Sequence, residues 1–250
     1  MKVIRIFDDA RAKNIKRRFI RELDVWQSLE HPNIVPLLGY INNMNCLPSP
    51  VSPWYKNGDA SRYLERVGPQ IKVKSRLQLL RQVAAGLQYL HQQDPPIIHG
   101  DLKPNNILID DEGVARLCDF GLARLSKDGE ATITGTIMCT HRYAAPELYF
   151  PKYRFGKVIE TTRTDIYSLA CVTYQFLYLR RPYADKKDSD TPHSAYRPPA
   201  EKSRESRHPI PESLVPICWG LFDDCWLEDE ANRPDIDDFC KRVDQMLITI

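Results

Sequence analysis

Four polar residues near the middle of the chain bring carboxylate, ammonium and carboxamide groups together at close spacing. Asp101, Lys103 and Asn106 lie in the sequence HGDLKPNN, and Asp119 opens a DFG triplet thirteen residues after Asn106. Phosphoryl transfer needs a carboxylate that orients the attacking hydroxyl, a cation near the transferred phosphate and oxygen ligands for Mg²⁺. Either segment alone is an ordinary turn sequence. Chance is a poor explanation of both at this spacing, so together they indicate phosphoryl-transfer chemistry.

Several segments around these residues are predicted to position them. Three apolar stretches are too short for helices and are predicted to be small strands: 97–99, 107–110 and 114–118. A long amphipathic stripe that starts near Ser75 predicts a helix before the first of them. Residues 164–180 are apolar nearly all round, which indicates a helix buried at the centre of a domain. Two more helices, each with Pro or Asp in its first turn, are predicted at about 212–226 and 235–248.

The first part of the chain is predicted to contain a helix followed by two extended segments. Residues 10–30 have apolar positions at close to helical spacing: Ile15, Phe19, Leu23, Trp26 and Leu29. The His31-Pro32 pair ends this helix, because the residue before a proline disfavours helical backbone angles. Apolar runs follow at 34–41 and 46–54, and the prolines of the second predict an irregular or edge strand.

Charge and composition exclude several classes of partner. Lys and Arg total 35 against 33 for Asp and Glu, and the net charge of +2 argues against nucleic acid as the main partner. No stretch approaches the roughly 18 consecutive apolar residues of a membrane-spanning helix. The first 30 residues have no apolar signal-peptide core. We therefore expect no membrane partner and a cytoplasmic location, with the nucleus as an alternative. The seven cysteines have no CxxC spacing, so we expect buried, reduced thiols.

The central motifs resemble the protein-kinase catalytic loop HRDxKxxN followed by the metal-binding DFG. The sequence YAAPE, which contains Glu147, resembles the APE motif that ends the kinase activation segment. Arg233, in an Arg-Pro pair, resembles the arginine that pairs with that glutamate. Asp165 matches the buried aspartate of the central helix, which in this family hydrogen-bonds the catalytic-loop backbone.

This resemblance extends over residues 2–248 and implies roles for the polar residues. Asp101 would be the catalytic base and Lys103 would stabilise the phosphate. Asn106 and Asp119 would be the Mg²⁺ ligands, with ATP as the phosphate donor and a protein as the substrate. The LKPNN sequence after Asp101 resembles Ser/Thr rather than Tyr kinases. The stretch around GYI and VSPWYKNGDASRYL and the CW…RP ending are similar to the tyrosine-kinase-like group of Ser/Thr kinases.

The resemblance also places the nucleotide contacts in the first half of the chain. Lys2 falls at the lysine that holds the α- and β-phosphates, and Glu22, twenty residues on, falls at its glutamate partner. A solvated terminal charge is the alternative reading of Lys2. The remaining positions are the gatekeeper, the hinge and the floor of the adenine pocket: Ser52, Pro53, Trp54, Tyr55 and Leu108. A stack of four core side chains between the lobes is also implied: Trp26, Leu37, His99 and Phe120.

The implied fold is of the α+β class, a two-lobed kinase-like fold with a small sheet-and-helix N-lobe and a mainly helical C-lobe. We predict a partial N-lobe at residues 1–54 and a C-lobe at 55–250. The glycine-rich loop of the family would lie upstream of Lys2, and no G-x-G-x-x-G occurs in the 250 residues. We therefore expect impaired ATP binding by the chain as written.

Two more departures from the family pattern concern regulation and docking. The arginine of HRD is replaced by Gly100, so phosphorylation of the activation loop is not expected to act as a switch unless Arg124 or Arg142 replaces it. Residues 184–208 are almost wholly polar and are predicted to be poorly ordered. They occupy the place of a helix that helps to dock substrates, and a regulatory protein partner is a further expectation.

Two other functions remain open at this point. A non-catalytic pseudokinase would keep the C-lobe as a protein-interaction module without productive ATP binding. Small-molecule phosphotransferases share an H-x-D-x-x-x-x-N loop, but Lys103, the 119–147 segment and Arg233 argue against that class.

Overall fold

The computed structural model describes residues 23–41, 48–119, 142–148, 160–184 and 209–250, with Ile20 and the backbone of residues 124–125. The predictions for Lys2, Glu22 and Phe120 lie outside the described residues. So do those for most of the 10–30 helix, for most of the activation segment and for nearly all of the polar segment 184–208.

Helices are the main secondary structure of the described fold. Residues 23–28 are helical, and the helix stops before His31-Pro32, as the proline predicts. Five further helices lie in the described part of the chain: α1 (Ala60–Val67), α2 (Val73–His91), α3 (Thr162–Tyr178), α4 (Val215–Cys225) and α5 (Ile236–Thr249). The last four confirm the predicted helices to within a few residues. Helix α1 was not predicted.

The described strands form three short antiparallel pairs. Their strands are β1 (Gly39–Ile41), β2 (Ser49–Val51), β3 (Ile97–Ile98), β4 (Ile107–Ile109), β5 (Ala115–Leu117) and β6 (Arg124–Leu125). Strand β1 pairs with β2, β3 with β6, and β4 with β5. The three predicted small strands are confirmed as β3, β4 and β5. Strand β2 forms in spite of its proline, which faces Tyr40 across the pair.

The core is built around α3, as its apolar composition predicts. Every residue of α3 from Thr164 to Tyr178 is buried, and α3 packs against α2 and α4, while α2 also packs against α5. The buried guanidinium of Arg76 on α2 donates from Nη1 to the carbonyl oxygens of Phe176 (3.1 Å) and Leu177 (2.6 Å) in the last turn of α3. Its Nη2 reaches the carbonyl of Pro209 at 3.1 Å. The positive group therefore satisfies carbonyls that a helix end leaves unpaired.

The N-terminal helical region is fastened to the β4–β5 hairpin by the residues that follow it. Leu117 N–H donates to the Asn33 carbonyl (2.8 Å), and Val35 N–H donates to the Leu117 carbonyl (2.9 Å). The Asn33 side chain also donates to the Ala115 carbonyl at 2.9 Å. Helix α2 passes so close that a Cβ atom on Gly86 would lie 2.7 Å from the Asn33 carbonyl oxygen. Only glycine allows this approach.

The described cysteines are mostly buried, as the sequence predicted. Cys171, Cys218, Cys225 and Cys240 are buried free thiols, and Cys118 is half-buried. Burial raises the pKa of the Cys218 thiol to about 12, so it stays protonated at neutral pH. Within the described ranges, every helix is too short or too polar to cross a bilayer. The arrangement confirms the predicted α+β class, while the division into lobes at residue 54 stays a prediction.

Candidate active site

The loop between β3 and β4 is shaped by one carboxylate of the central helix. Asp165 lies in the first turn of α3 and is only 1% exposed. Its Oδ2 accepts from His99 N–H (2.8 Å) and its Oδ1 from Gly100 N–H (2.9 Å). Gly100 has φ +74°, a left-handed conformation that glycine adopts without strain. The predicted hydrogen bonds, in which the Asp165 carboxylate accepts from the loop backbone, are confirmed.

The same loop brings Asp101, Lys103 and Asn106 into contact. Lys103 Nζ lies 2.5 Å from Asp101 Oδ2, and Asn106 Nδ2 donates to that oxygen at 2.9 Å. Asn106 Nδ2 also donates to the Asp101 carbonyl at 2.8 Å, within the short 3₁₀ turn Pro104–Asn106. No described residue donates to the other carboxylate oxygen, Oδ1. The Asp101 side chain is 11% exposed, so its orientation is held while one oxygen can accept a hydrogen bond.

Asp119 follows the β5 strand and lies beside this loop. Cys118 N–H donates to the Asn106 carbonyl at 2.9 Å, which fixes the backbone that leads to Asp119. Asp119 is exposed and has φ +62°. A non-glycine residue in this region costs on the order of 1 kcal/mol and is common at functional sites. Aspartate is one of the few non-glycine residues that tolerate this conformation.

The oxygen atoms of Asn106 and Asp119 suit a magnesium ion. Both donor hydrogens of the Asn106 amide are used within the loop, so its Oδ1 remains as an acceptor. Mg²⁺ is usually held by one or two protein oxygens together with substrate phosphates and water. In the described part of the chain, no group of three or more His, Cys, Asp or Glu residues forms a metal cage. This donor set fits a metal that arrives with a phosphate ligand.

His99 is fully buried at the base of the loop. Burial lowers the pKa of its imidazole from the ordinary 6.5, although Asp165, Asp101 and Asp119 act in the opposite direction. Its Nδ1 accepts from Asp101 N–H at 3.3 Å, which requires a ring nitrogen without a proton. The imidazole is therefore a neutral, structural group that helps to hold Asp101.

Of the predicted nucleotide pocket, the structure describes the gatekeeper, the hinge and the floor. Ser52, Tyr55 and Leu108 are half-buried, whereas the Trp54 side chain is 89% exposed. The Trp54 side chain therefore points into solvent, and the contact of residues 53–55 with adenine stays a prediction. Leu108 is bridged to Asp59, the residue that caps the N-terminus of α1.

Two hydrogen bonds that the sequence did not predict join the residues just after the hinge to the β4–β5 turn. Lys56 N–H donates to Asp111 Oδ1 (2.8 Å), and Asn57 Nδ2 donates to the Asp110 carbonyl (2.7 Å). The Tyr55 ring lies under the Arg116 guanidinium at 5.9 Å, and Arg116 pairs with the buried Asp110. Arg116 pairs with Leu108 across the β4–β5 hairpin, so these contacts also set the position of Leu108 relative to the hinge. The only sequence signal was the acidic, glycine-containing turn DDEG.

The predicted ion pair between Glu147 and Arg233 is confirmed. Arg233 Nη1 lies 2.6 Å from Glu147 Oε1, and Nη2 lies 3.0 Å from Oε2, so the pair is bidentate. The Arg233 side chain is fully buried and that of Glu147 is 10% exposed. Arg233 Nε also donates to the Leu227 carbonyl at 2.9 Å. The pair fixes the segment 142–148 to the helical part of the fold.

The structure tests the remaining site predictions unevenly. Trp26 and His99 are buried and Leu37 is partly buried, but the four-residue stack stays a prediction because Phe120 lies outside the described residues. The roles of Lys2 and Glu22 likewise stay predictions. Asp101, Lys103 and Asn106 are in contact, and Asp119 follows a residue that is hydrogen-bonded to Asn106, while the catalytic roles of all four stay predictions.

Comparison with known proteins agrees with this geometry. The model of the protein kinase domain family matches residues 1–243. Serine/threonine-protein kinase 12 of Arabidopsis thaliana is 32% identical over 236 residues, which is 92% of this chain and 48% of that protein. Serine/threonine-protein kinase CTR1 of the same plant is 29% identical over 218 residues, 86% of this chain and 25% of that protein. Ephrin type-B receptor 5 of Gallus gallus is 28% identical over 238 residues, 93% of this chain and 22% of that protein.

A small strand-and-helix region, a helical core and a carboxylate-bearing loop held by the core helix together define a protein kinase domain. The chain belongs to the protein kinase family. It spans between about a fifth and a half of the length of these relatives.

Proposed function

We propose that this chain is the catalytic domain of a Ser/Thr protein kinase that transfers the γ-phosphate of ATP to hydroxyl groups of protein substrates. The observation that carries the proposal is the state of Asp101. Lys103 and Asn106 both hold its Oδ2, and Oδ1 is left without a described donor. A carboxylate so oriented can accept a hydrogen bond from a substrate hydroxyl and take its proton at Oδ1.

The other residues have complementary tasks in this mechanism. The Lys103 ammonium lies 2.5 Å from Asp101 Oδ2, on the carboxylate that would take the proton, and can neutralise charge that develops on the phosphoryl group. Asn106 Oδ1 and the Asp119 carboxylate would hold Mg²⁺, which when bound neutralises and orients the ATP phosphates. Asp165 keeps the loop in place through two backbone N–H groups. The base, the ammonium group and the metal ligands are thus all supplied by one loop and by the residues that follow the strand beside it.

The preference for Ser and Thr hydroxyls rests on Lys103. A lysine two residues after the base places its ammonium 2.5 Å from the carboxylate, on the loop itself. The LKPNN sequence resembles that of Ser/Thr kinases, and two of the relatives carry the name Ser/Thr protein kinase. A protein-binding pseudokinase, which would keep this fold without phosphate transfer, is the alternative.

The test is phosphate transfer from radiolabelled Mg·ATP to peptides with Ser, Thr or Tyr as the only hydroxyl residue. We expect Ser and Thr peptides to be labelled. Asp101→Asn should lower the rate by about 10²–10⁴-fold, because the hydroxyl loses its orienting base. Asp223→Asn, an exposed aspartate on α4, is the matched control and should keep the wild-type rate.

Three results would contradict the proposal. Labelling of the Tyr peptide alone would overturn the hydroxyl preference. Wild-type turnover by Asp101→Asn would overturn the assignment of the base. No transfer by the wild-type chain, with retained binding of a protein partner, would favour the pseudokinase.

A further inference from the structure

We propose that Arg142 and Tyr183 form a second clamp on the segment 142–148, and that Tyr167 couples this clamp to the Glu147–Arg233 pair so that both position the protein substrate. The inference rests on the proposed function, since it names a positioning device for the same reaction. It concerns how substrate is held and leaves the chemistry at Asp101 unchanged.

The first observation is the contact made by Arg142 at the start of the segment. Its Nη1 donates to the carbonyl oxygens of Pro182 (3.0 Å) and Tyr183 (2.6 Å). Tyr183 is 5% exposed and has φ +53°, a conformation that an aromatic residue rarely adopts. Such a backbone persists only where surrounding contacts hold it. Arg142 supplies one of these contacts from a position 41 residues away in sequence.

The second observation is that Tyr167 on α3 touches both clamps. Its hydroxyl lies 2.9 Å from the Tyr183 hydroxyl, and its ring lies under the Arg233 guanidinium at 5.1 Å. Tyr167 is 1% exposed. Burial raises the pKa of both phenols, so both remain neutral hydroxyls that can share the hydrogen bond at neutral pH.

These contacts close a ring. The segment carries Arg142 at one end and Glu147 near the other, and each end leads through a side-chain contact to Tyr167. Between the two ends, the Tyr143 hydroxyl is hydrogen-bonded to Gln175, which is also on α3. The segment is therefore held at three places, all of which lead back to one helix.

The same helix holds the catalytic loop. Asp165 and Tyr167 are two residues apart in the first turns of α3, and Asp165 fixes the loop that carries Asp101. The helix thus sets the position of the 142–148 segment relative to the catalytic carboxylate. Loosening the Arg142 clamp should weaken the binding of a peptide between the segment 142–148 and Asp101. It should leave the binding of ATP unchanged.

The kinetic test uses Arg142→Met, Tyr167→Phe, Tyr183→Phe and the double Tyr variant. Each should raise KM for a peptide substrate by about three- to tenfold, the change that corresponds to one net hydrogen bond. The values of kcat and of KM for ATP should stay within about twofold. Because both Tyr→Phe changes remove the same hydroxyl pair, the double variant should match the single variants. Arg242→Met, which removes an arginine paired with Asp224 outside the segment, is the matched control.

A second readout does not depend on catalysis. Amide hydrogen exchange within residues 142–148 should accelerate in Arg142→Met and should return part of the way in Arg142→Lys, which keeps one donor. Absence of phosphate transfer by the wild-type chain would defeat the proposed function, while exchange would still test the clamp. Unchanged exchange in Arg142→Met would overturn the inference. Additive effects of the two Tyr→Phe changes would overturn the coupling through Tyr167.

Discussion

His99 is a buried imidazole surrounded by carboxylates, and its neutrality links stability to pH. Burial lowers its pKa below 6.5, with Asp165, Asp101 and Asp119 opposing the change. In the unfolded chain the imidazole takes up a proton near pH 6.5, whereas in the folded chain it does so only at lower pH. The unfolded state therefore binds more protons in this window. Stability from His99 is present above pH 6.5 and is lost as the pH falls below it.

The titration of His99 predicts that the free energy of unfolding depends measurably on pH. Between pH 7.5 and 5.5 the wild-type value should fall, with His99 contributing at most about 1.4 kcal/mol per pH unit. His99→Phe should have a shallower slope, measured by urea unfolding at each pH. Burial also lowers the pKa of His31, so His31→Phe should reduce the slope too, and serves as the comparison. An identical slope in wild type and His99→Phe would show that His99 does not titrate on unfolding.

At the residue level, the sequence predicted the contacts within the loop 101–106 but not the hydrogen bonds that join residues 56 and 57, just after the predicted hinge, to the β4–β5 turn. Asp101, Lys103 and Asn106 are within five residues of one another, so their contact follows from local chain geometry. The bond from Asp165 to the loop required the family resemblance, since it joins residues 66 positions apart. The hinge bond from Lys56 to Asp111 joins residues 55 positions apart, and nothing in the local pattern marks the partner.

At the level of elements, Gly86 on α2 shows how packing can oppose helix propensity. Replacing a helical glycine with alanine ordinarily stabilises a helix by up to about 1 kcal/mol. At Gly86 the new Cβ would meet the Asn33 carbonyl at 2.7 Å, closer than such atoms approach. We expect Gly86→Ala to destabilise the fold, because the hairpin or the residues around Asn33 must move.

Gly220 on α4 provides the matched control. A Cβ there would meet nothing within 4 Å, so Gly220→Ala should stabilise the chain by a few tenths to about 1 kcal/mol. Denaturant unfolding of the two variants measures both effects. Equal stabilisation by the two changes would mean that the contact between α2 and Asn33 is looser than its geometry indicates.

The Glu147–Arg233 pair should respond unequally to loss of each partner. Arg233 is fully buried, so Glu147→Ala leaves a buried charge whose remaining contacts are carbonyl oxygens and the Tyr167 ring, and should cost roughly 3–5 kcal/mol. The double replacement Glu147→Ala with Arg233→Met removes that charge and should recover part of the loss. Thermal or urea unfolding of the three proteins provides the measurement. A cost below about 1 kcal/mol for Glu147→Ala would show that the pair is solvent-screened.

The pattern of confirmed and missed elements has a physical basis. Helix α3 is apolar on every side, and α5 has a clear apolar stripe opened by the N-cap Asp235, so both were predictable. Helix α1 has eight residues, of which three are buried, and gives too little periodicity to be recognised. Its start has a sequence signal, because Asp59 is a preferred N-cap residue, and in the structure Asp59 accepts a hydrogen bond from Arg62 N–H.

At the scale of the whole molecule, burial predicts where the backbone opens. All of α3 from Thr164 to Tyr178 is buried, whereas β1 and β2 expose Tyr40, Ile41 and Val51. Local opening free energy follows buried contacts. Hydrogen-exchange mass spectrometry should therefore find the slowest amides in α3 and much faster exchange in β1 and β2. Equal protection of the two regions would mean that the strands are stabilised by contacts beyond those described.

Arg76 holds the last turn of α3 and Pro209 with one guanidinium, so it joins Leu177 to a point of the chain 32 residues later. The arginine therefore acts as a non-covalent cross-link that holds the two ends of this interval at one place. For protein engineering, Arg76 is the position at which a single substitution would release both ends at once.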